Sequence, residues 1–165
     1  MTLIRWNPPK KRCINIYFTI FLRLHSFILA RILAIDYGKK RTGLAVTDPL
    51  QIIATGLETV DTGELIGYLK KYMLHEPVEK VLIGYPLNMD DSPTDATPLV
   101  EKFIGKFKNV FPNLPIEKVD ERMTSRMASQ AISGMGLKKK DREEKGRIDL
   151  VSAVIILQEY LEGKG

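Results

Sequence analysis

RILAIDYGKKRTGLAVTD (residues 31–48) runs an apolar stretch into an acid, a glycine, three bases and a second apolar stretch. Residues 31–36 alternate little, which fits a strand buried on both faces. Residues 43–48 and 51–60 read as two more strands, with Asp48-Pro49 as the turn between them. Parallel strands need a crossover of about a dozen residues or more, so connectors this short favour an antiparallel meander. The acid at the end of the first strand, Asp36, stands beside Lys39, Lys40 and Arg41. Either it caps a turn or it holds a cation that meets something negative.

Outward from the meander the pattern changes. Asp61 followed by Glu64 has the form of a capping box, and Leu65, Tyr68, Leu69 and Tyr72 recur at helical spacing until Pro77. Residues 80–84 are a short apolar strand, and the Pro-, Asp- and Thr-rich residues 85–98 read as a long loop. A helix over about 98–110 places Val100, Phe103, Ile104 and Phe107 on one face, and residues 114–121 form the last strand. Thr124 is placed to cap a helix ending near Gly134 and Gly136, the charged residues 138–147 form a loop, and a final helix spans about 147–161. Three hairpin-like strands followed by alternating helices and strands give an α/β arrangement with a mixed sheet.

Charge excludes some classes. The chain of 165 residues has a net charge of +5 and a pI of 9.3, but residues 1–30 hold five bases and no acid. The remainder is electrically neutral, so bulk charge gives no argument for nucleic acid; only local clusters do. One cysteine excludes an internal disulfide framework and suits a reducing compartment such as the cytoplasm. With His25 and His75 as its only companions, it offers no zinc cluster. Residues 1–29 read as an extension apart from a domain over 30–165. The apolar run from Ile14 to Ala30 is broken by Arg23 and His25, which makes a poor membrane span. A misassigned start, a disordered or loosely docked extension, and a membrane-surface segment stay open for it.

Three groups of acids occupy special positions: Asp36 ends the first strand, Asp120 and Glu121 end the last, and Asp149 lies one turn into the final helix. Strand ends along one edge of an α/β sheet meet at the usual ligand crevice. Carboxylates gathered there repel one another unless a cation neutralises them. Oxygen donors without His or Cys favour Mg²⁺ or Mn²⁺, the ions of phosphodiester hydrolysis. Taken singly, each acid is as well explained by a turn cap or a helix dipole. Ser152 and Ala153 give Asp149 a small-residue face, distinct from the apolar stripe of Ile148, Val151 and Ile155.

Four stretches in order, AIDYG (34–38), GYPLNMD (84–90), DERMTS (120–125) and KGRIDLVSAVIILQEYLE (145–162), resemble the YqgF/RuvX family. That family is described both as pre-16S rRNA nucleases and as Holliday junction resolvases. The resemblance covers about residues 30–162 and implies an RNase H-like fold, a five-stranded mixed sheet flanked by helices. It implies a metal-binding triad of Asp36, the acid of the DER motif and Asp149. Between Asp120 and Glu121 we favour Glu121, since RuvC-like relatives use a glutamate from this strand and alternation lets only one of the two face the site easily. Asp91 stands where many relatives carry Gly.

The implied activity is a metal-dependent endonuclease that processes the 5′ end of pre-16S ribosomal RNA, on structured RNA or precursor particles, as a monomer or homodimer without a membrane. Lys39, Lys40, Arg41 and Arg122 are candidates for phosphate contact, the loop 138–147 for a grip on the backbone, Tyr85 for stacking on an unpaired base, and Asn88 for hydrogen bonding. Three alternatives stand beside it. One is resolution of branched DNA by the same chemistry. Another is nucleotide handling, since DYGKKRTG is similar to the first phosphate loop of the actin and sugar-kinase fold. The last is a non-catalytic RNA-binding assembly factor, against which the clustered acids argue.

Overall fold

A computed structural model describes residues 30–121, 127–128, 130–131 and 145–163. The elements are β1 (Arg31–Tyr37), β2 (Arg41–Thr47), β3 (Ala54–Asp61), α1 (Leu65–His75), β4 (Val78–Tyr85), α2 (Thr97–Val110), β5 (Ile116–Asp120) and α3 (Lys145–Glu162). Residues 127–128 and 130–131 are also helical. The sheet has five strands in the order β3-β2-β1-β4-β5. The meander β1-β2-β3 is antiparallel, and β4 and β5 are added parallel to β1 on its other side. This is the mixed sheet expected from the connector lengths.

Successive side chains on a strand point to opposite faces, and that parity sorts the core into two layers. Leu33 and Ile35 of β1, Leu44 and Val46 of β2, and Val81 and Ile83 of β4 pack with Leu65 and Leu69 of α1 and with Val100, Phe103, Ile104 and Phe107 of α2. Tyr37 continues this layer by stacking on Phe103, ring centroids 4.6 Å apart. The alternate residues Ile32, Ala34, Ala45 and Leu82 face Ala153, Ile156 and Leu157 of α3, and Val119 of β5 joins them. Asp36 shares the parity of Ile32 and Ala34, and Glu121 that of Val119, so both belong to the α3 side.

Helix α3 lies close on the sheet because small residues stand beneath it. A Cβ built on Gly43 would fall inside the contact distance of the Asp149 carbonyl oxygen, and one on Gly56 would lie 3.1 Å from Leu150 Cγ. Thr59 Oγ1 donates to the Gly146 carbonyl at 2.7 Å and ties the first turn of α3 to β3. The buried stripe of the helix is Ser152, Ala153, Ile156 and Leu157, while Ile148, Val151 and Ile155 are only partly buried. The small-residue face therefore serves helix–sheet packing.

Two local expectations are corrected. Strand β3 begins at Ala54, because residues 51–53 belong to a turn organised by Asp48. Its carboxylate accepts the backbone N–H groups of Leu50, Ile52 and Ile53 at 2.7–3.0 Å. Gln51 takes the left-handed conformation there, φ 57°. Asp61 does not start α1: it is the last residue of β3, and its side chain accepts the Gly63 N–H at 2.8 Å. Helix α1 starts at Leu65, and Glu64 makes no side-chain cap. Strand pairing of Asp61 with Arg41 outweighs the capping box.

The two environments of glycine give a paired test. Gly43→Ala should lower the unfolding free energy by about 3 kcal/mol, the scale of overpacking against backbone. Gly67→Ala on α1, where a Cβ meets nothing within 4 Å, should raise it by about 0.5–1 kcal/mol through helix propensity. Equilibrium urea unfolding of both variants checks the pair; equal effects would contradict the close α3–β2 crossing.

Candidate active site

Three elements bring acids to one end of the sheet. Asp36 is the penultimate residue of β1, directly opposite Gly43 in the β1–β2 register. Over Gly43 passes the backbone of Asp149, so the strand pair and the helix crossing together set Asp149 beside Asp36. From the other side, β5 is parallel to β4 with Gly84 opposite Val119. A Cβ on Gly84 would collide with the Glu121 carboxylate and lie 2.9 Å from Ile156 Cδ1. Gly84 thus leaves the space into which Glu121 folds back toward β1. Glycine within a strand is the sequence signal of such an approach, and it marks Gly43 as well as Gly84.

Electrostatics reports the same neighbourhood. Burial pushes the Asp36 carboxyl up to about 6, the negative charge of Asp149 adds to the rise, and Ser152 opposes it. Burial pushes the Glu121 carboxyl up to about 7, with the charges of Asp36 and then Asp120 adding to it. Asp36 is therefore flanked by Asp149 and by Glu121. Asp120 is exposed and has the opposite strand parity, which it shares with Lys118 and with Ile116 of the α1–α2 layer. Alternation separates the two acids of the DER motif, with Glu121 on the α3 side.

The basic and aromatic candidates divide. Arg41 is exposed, and its Nε pairs with Asp149 Oδ2 at 3.3 Å. Lys39 and Lys40 are exposed in the β1–β2 turn, whose Gly38 and Lys40 carbonyls accept bonds from Thr62. Tyr85 is engaged on its own layer. Its hydroxyl donates to Glu101 at 2.7 Å, Lys118 Nζ lies 4.1 Å from its ring centroid, and Lys118 also binds Glu101. One face of the ring is covered by that lysine. Asn88 Nδ2 donates to Ser92 Oγ and to the Pro93 carbonyl, bracing its loop. Arg122, the loop 138–144 and the extension 1–29 lie outside the described residues. Neither the Arg41–Asp149 pair nor the Glu101–Lys118–Tyr85 cluster is readable from sequence, because each joins residues on different elements without a local pattern.

The donor set suits a hard divalent cation: oxygen ligands alone, two of them half-desolvated acids whose protons are easily exchanged for a cation near neutral pH. Ser152 Oγ adds a buried polar atom with no hydrogen-bond partner among the described residues. As they stand, no three of the described carboxylates come close enough to hold one ion. Asp149 is meanwhile paired with Arg41.

A family described as RuvX, Holliday junction resolvase, matches residues 30–163. The chain belongs to the RuvX family. A protein of Flavobacterium psychrophilum, provisionally named a pre-16S rRNA nuclease, is 54% identical over 136 residues, 82% of this chain and 99% of the relative. A Phocaeicola vulgatus protein with the same provisional name is 51% identical over 136 residues, again 82% of this chain and 98% of the relative. The structure of Thermus thermophilus RuvC in complex with a Holliday junction substrate aligns with a TM-score of 0.52 at 16% identity, covering 82% of this chain and 96% of that one. The RuvX fold here is RNase H-like, as its motifs imply.

The raised acids make stability depend on pH. Between about pH 4 and 7 the native state holds protons that the unfolded chain has released, so stability falls as pH rises through that window. Glu121→Gln removes the Glu121 share of this penalty and leaves that of Asp36. In metal-free buffer its urea midpoint should match the wild type at pH 4 and exceed it at pH 8. A difference independent of pH would contradict the burial of Glu121 beside Asp36.

Proposed function

We propose that this RuvX chain is a divalent-cation-dependent endonuclease that hydrolyses phosphodiester bonds in structured RNA, with pre-16S rRNA as its substrate. The observation that carries the reading is Asp36 flanked on one sheet face by Asp149 and Glu121. The substrate comes from the names of the relatives. Asp36, Glu121 and Asp149 would hold Mg²⁺ or Mn²⁺; when bound, the cation supplies Lewis-acid stabilisation of the charge that develops on the reacting phosphate. Asp120 stands outside this set. The two raised carboxyls must release their protons on loading, so affinity for the cation rises with pH. Lys39 and Lys40 at the neighbouring turn attract the phosphate backbone, a contribution that weakens with salt. Arg41 neutralises Asp149 and stands next to the path of the backbone. Tyr85, with one face and its hydroxyl engaged on the α1–α2 side of the sheet, faces away from the acids, and Asn88 stiffens the loop that follows it.

The nuclease domain spans residues 30–165 and acts in the cytoplasm on ribosomal precursor particles. No helix among the described residues is long and apolar enough to cross a membrane.

A second reading, cleavage of four-way DNA junctions, is favoured by the description of the family. Both substrates present the same phosphodiester to the same acids. Purified protein with Mg²⁺ or Mn²⁺ is incubated in parallel with precursor 16S rRNA and with a four-way DNA junction. Cleavage of the RNA is expected, with loss of at least about a hundredfold in Asp36→Asn and in Glu121→Gln and none of the native circular dichroism. Chelation by EDTA should abolish it. Cutting of the junction alone would transfer the assignment to DNA, and full activity in either variant would remove the acids from the mechanism.

A further inference from the structure

Ser152 lies one turn beyond Asp149 on the sheet-facing side of α3 and is 1% exposed. A serine within a helix normally satisfies its hydroxyl on the carbonyl one turn back or in solvent. Here Oγ makes no hydrogen bond to any described residue, and burial denies it bulk water. A buried hydroxyl without a partner is unfavourable and rare enough to need a reason. Its surroundings supply one. The neighbours Ala153 and Ile156 fill the apolar layer against Ala34 and Leu82. Asp36 lies on the same side of the sheet, opposite Gly43 over which the Asp149 backbone passes one turn before Ser152, and Ser152 favours its ionised form.

We propose that Ser152 is a positioning residue: its hydroxyl donates to the Asp36 carboxylate and fixes the orientation in which Asp36 and Asp149 share a divalent cation. The inference rests on the cation-binding reading of the site. A carboxylate held through one oxygen presents the other toward Asp149 with less rotational freedom to lose. Outer hydrogen-bond partners of this kind commonly contribute about 10–100-fold to metal affinity. The serine also explains why a polar residue occupies a packed stripe that Ala would fill equally well.

The test uses the full chain and Mn²⁺ alone. Calorimetric titration is paired with the electron paramagnetic resonance of bound Mn²⁺ for wild type, Ser152→Ala, Asp36→Asn and the double variant. Ser152→Ala should bind Mn²⁺ about tenfold more weakly, with an unchanged or raised Tm without the ion. In the Asp36→Asn background the serine should contribute nothing further. Unchanged affinity in Ser152→Ala, with tight binding by the wild type, overturns the role of the serine and leaves the cation site standing. A lowered ion-free Tm, or an equal loss in the Asp36→Asn background, makes the hydroxyl a packing element and overturns it too. Absence of Mn²⁺ binding by the wild type removes both this inference and the cation reading beneath it.

Discussion

The crossing of α3 over β2 at Gly43 is the constraint on which the site depends. A side chain at this position would lift the helix from the sheet, and Asp149 would leave with it. The same crossing buries Ala153, Ile156 and Leu157 against β1 and β4, so the apolar contacts that hold the helix also set the distance between two like charges. Hydrophobic burial here does electrostatic work: it keeps Asp36 and Asp149 as neighbours although their repulsion favours separation.

Strand parity does the rest. Each strand of the sheet has one side for α1 and α2 and one for α3, and the acids of the site take the second side on β1 and β5. The penalty of burying them appears as raised proton affinity, a cost of a kind that functional sites often carry. The opposite side of the same strand ends holds Tyr37, Tyr85 and Lys118 in contacts that satisfy ordinary packing. One end of the sheet thus carries the raised acids on one face and ordinary packing on the other, separated by the thickness of the backbone.

Much of this was legible in the sequence. Connector lengths alone imply the antiparallel meander, and the positions of Asp36, Glu121 and Asp149 at strand ends and one helical turn imply their convergence. In the sequence, alternation says only that one of Asp120 and Glu121 faces the site easily and the resemblance favours Glu121; the packing of Val119 on the α3 layer, a fact of the structure, is what puts Glu121 on that side. Less legible were contacts made between elements. Arg41 reads as a phosphate-seeking base in a turn, yet its nearest charge is Asp149, 108 residues away in sequence. Asp61 and Glu64 match a helix-start pattern, but the ladder to β2 claims Asp61 first. Local patterns report local preference, and tertiary pairing overrides them where a strand already needs the residue.

The strands that carry the acids are not equally anchored. β1 lies at the centre of the sheet with β2 on one side and β4 on the other, whereas β5 is a five-residue border strand with β4 as its single neighbour. Asp36 is therefore set in a strand bonded on both sides, and Glu121 follows directly after one bonded on a single side. The separation between Asp36 and Glu121 is thus held by two strand ladders at one end and by a single one at the other.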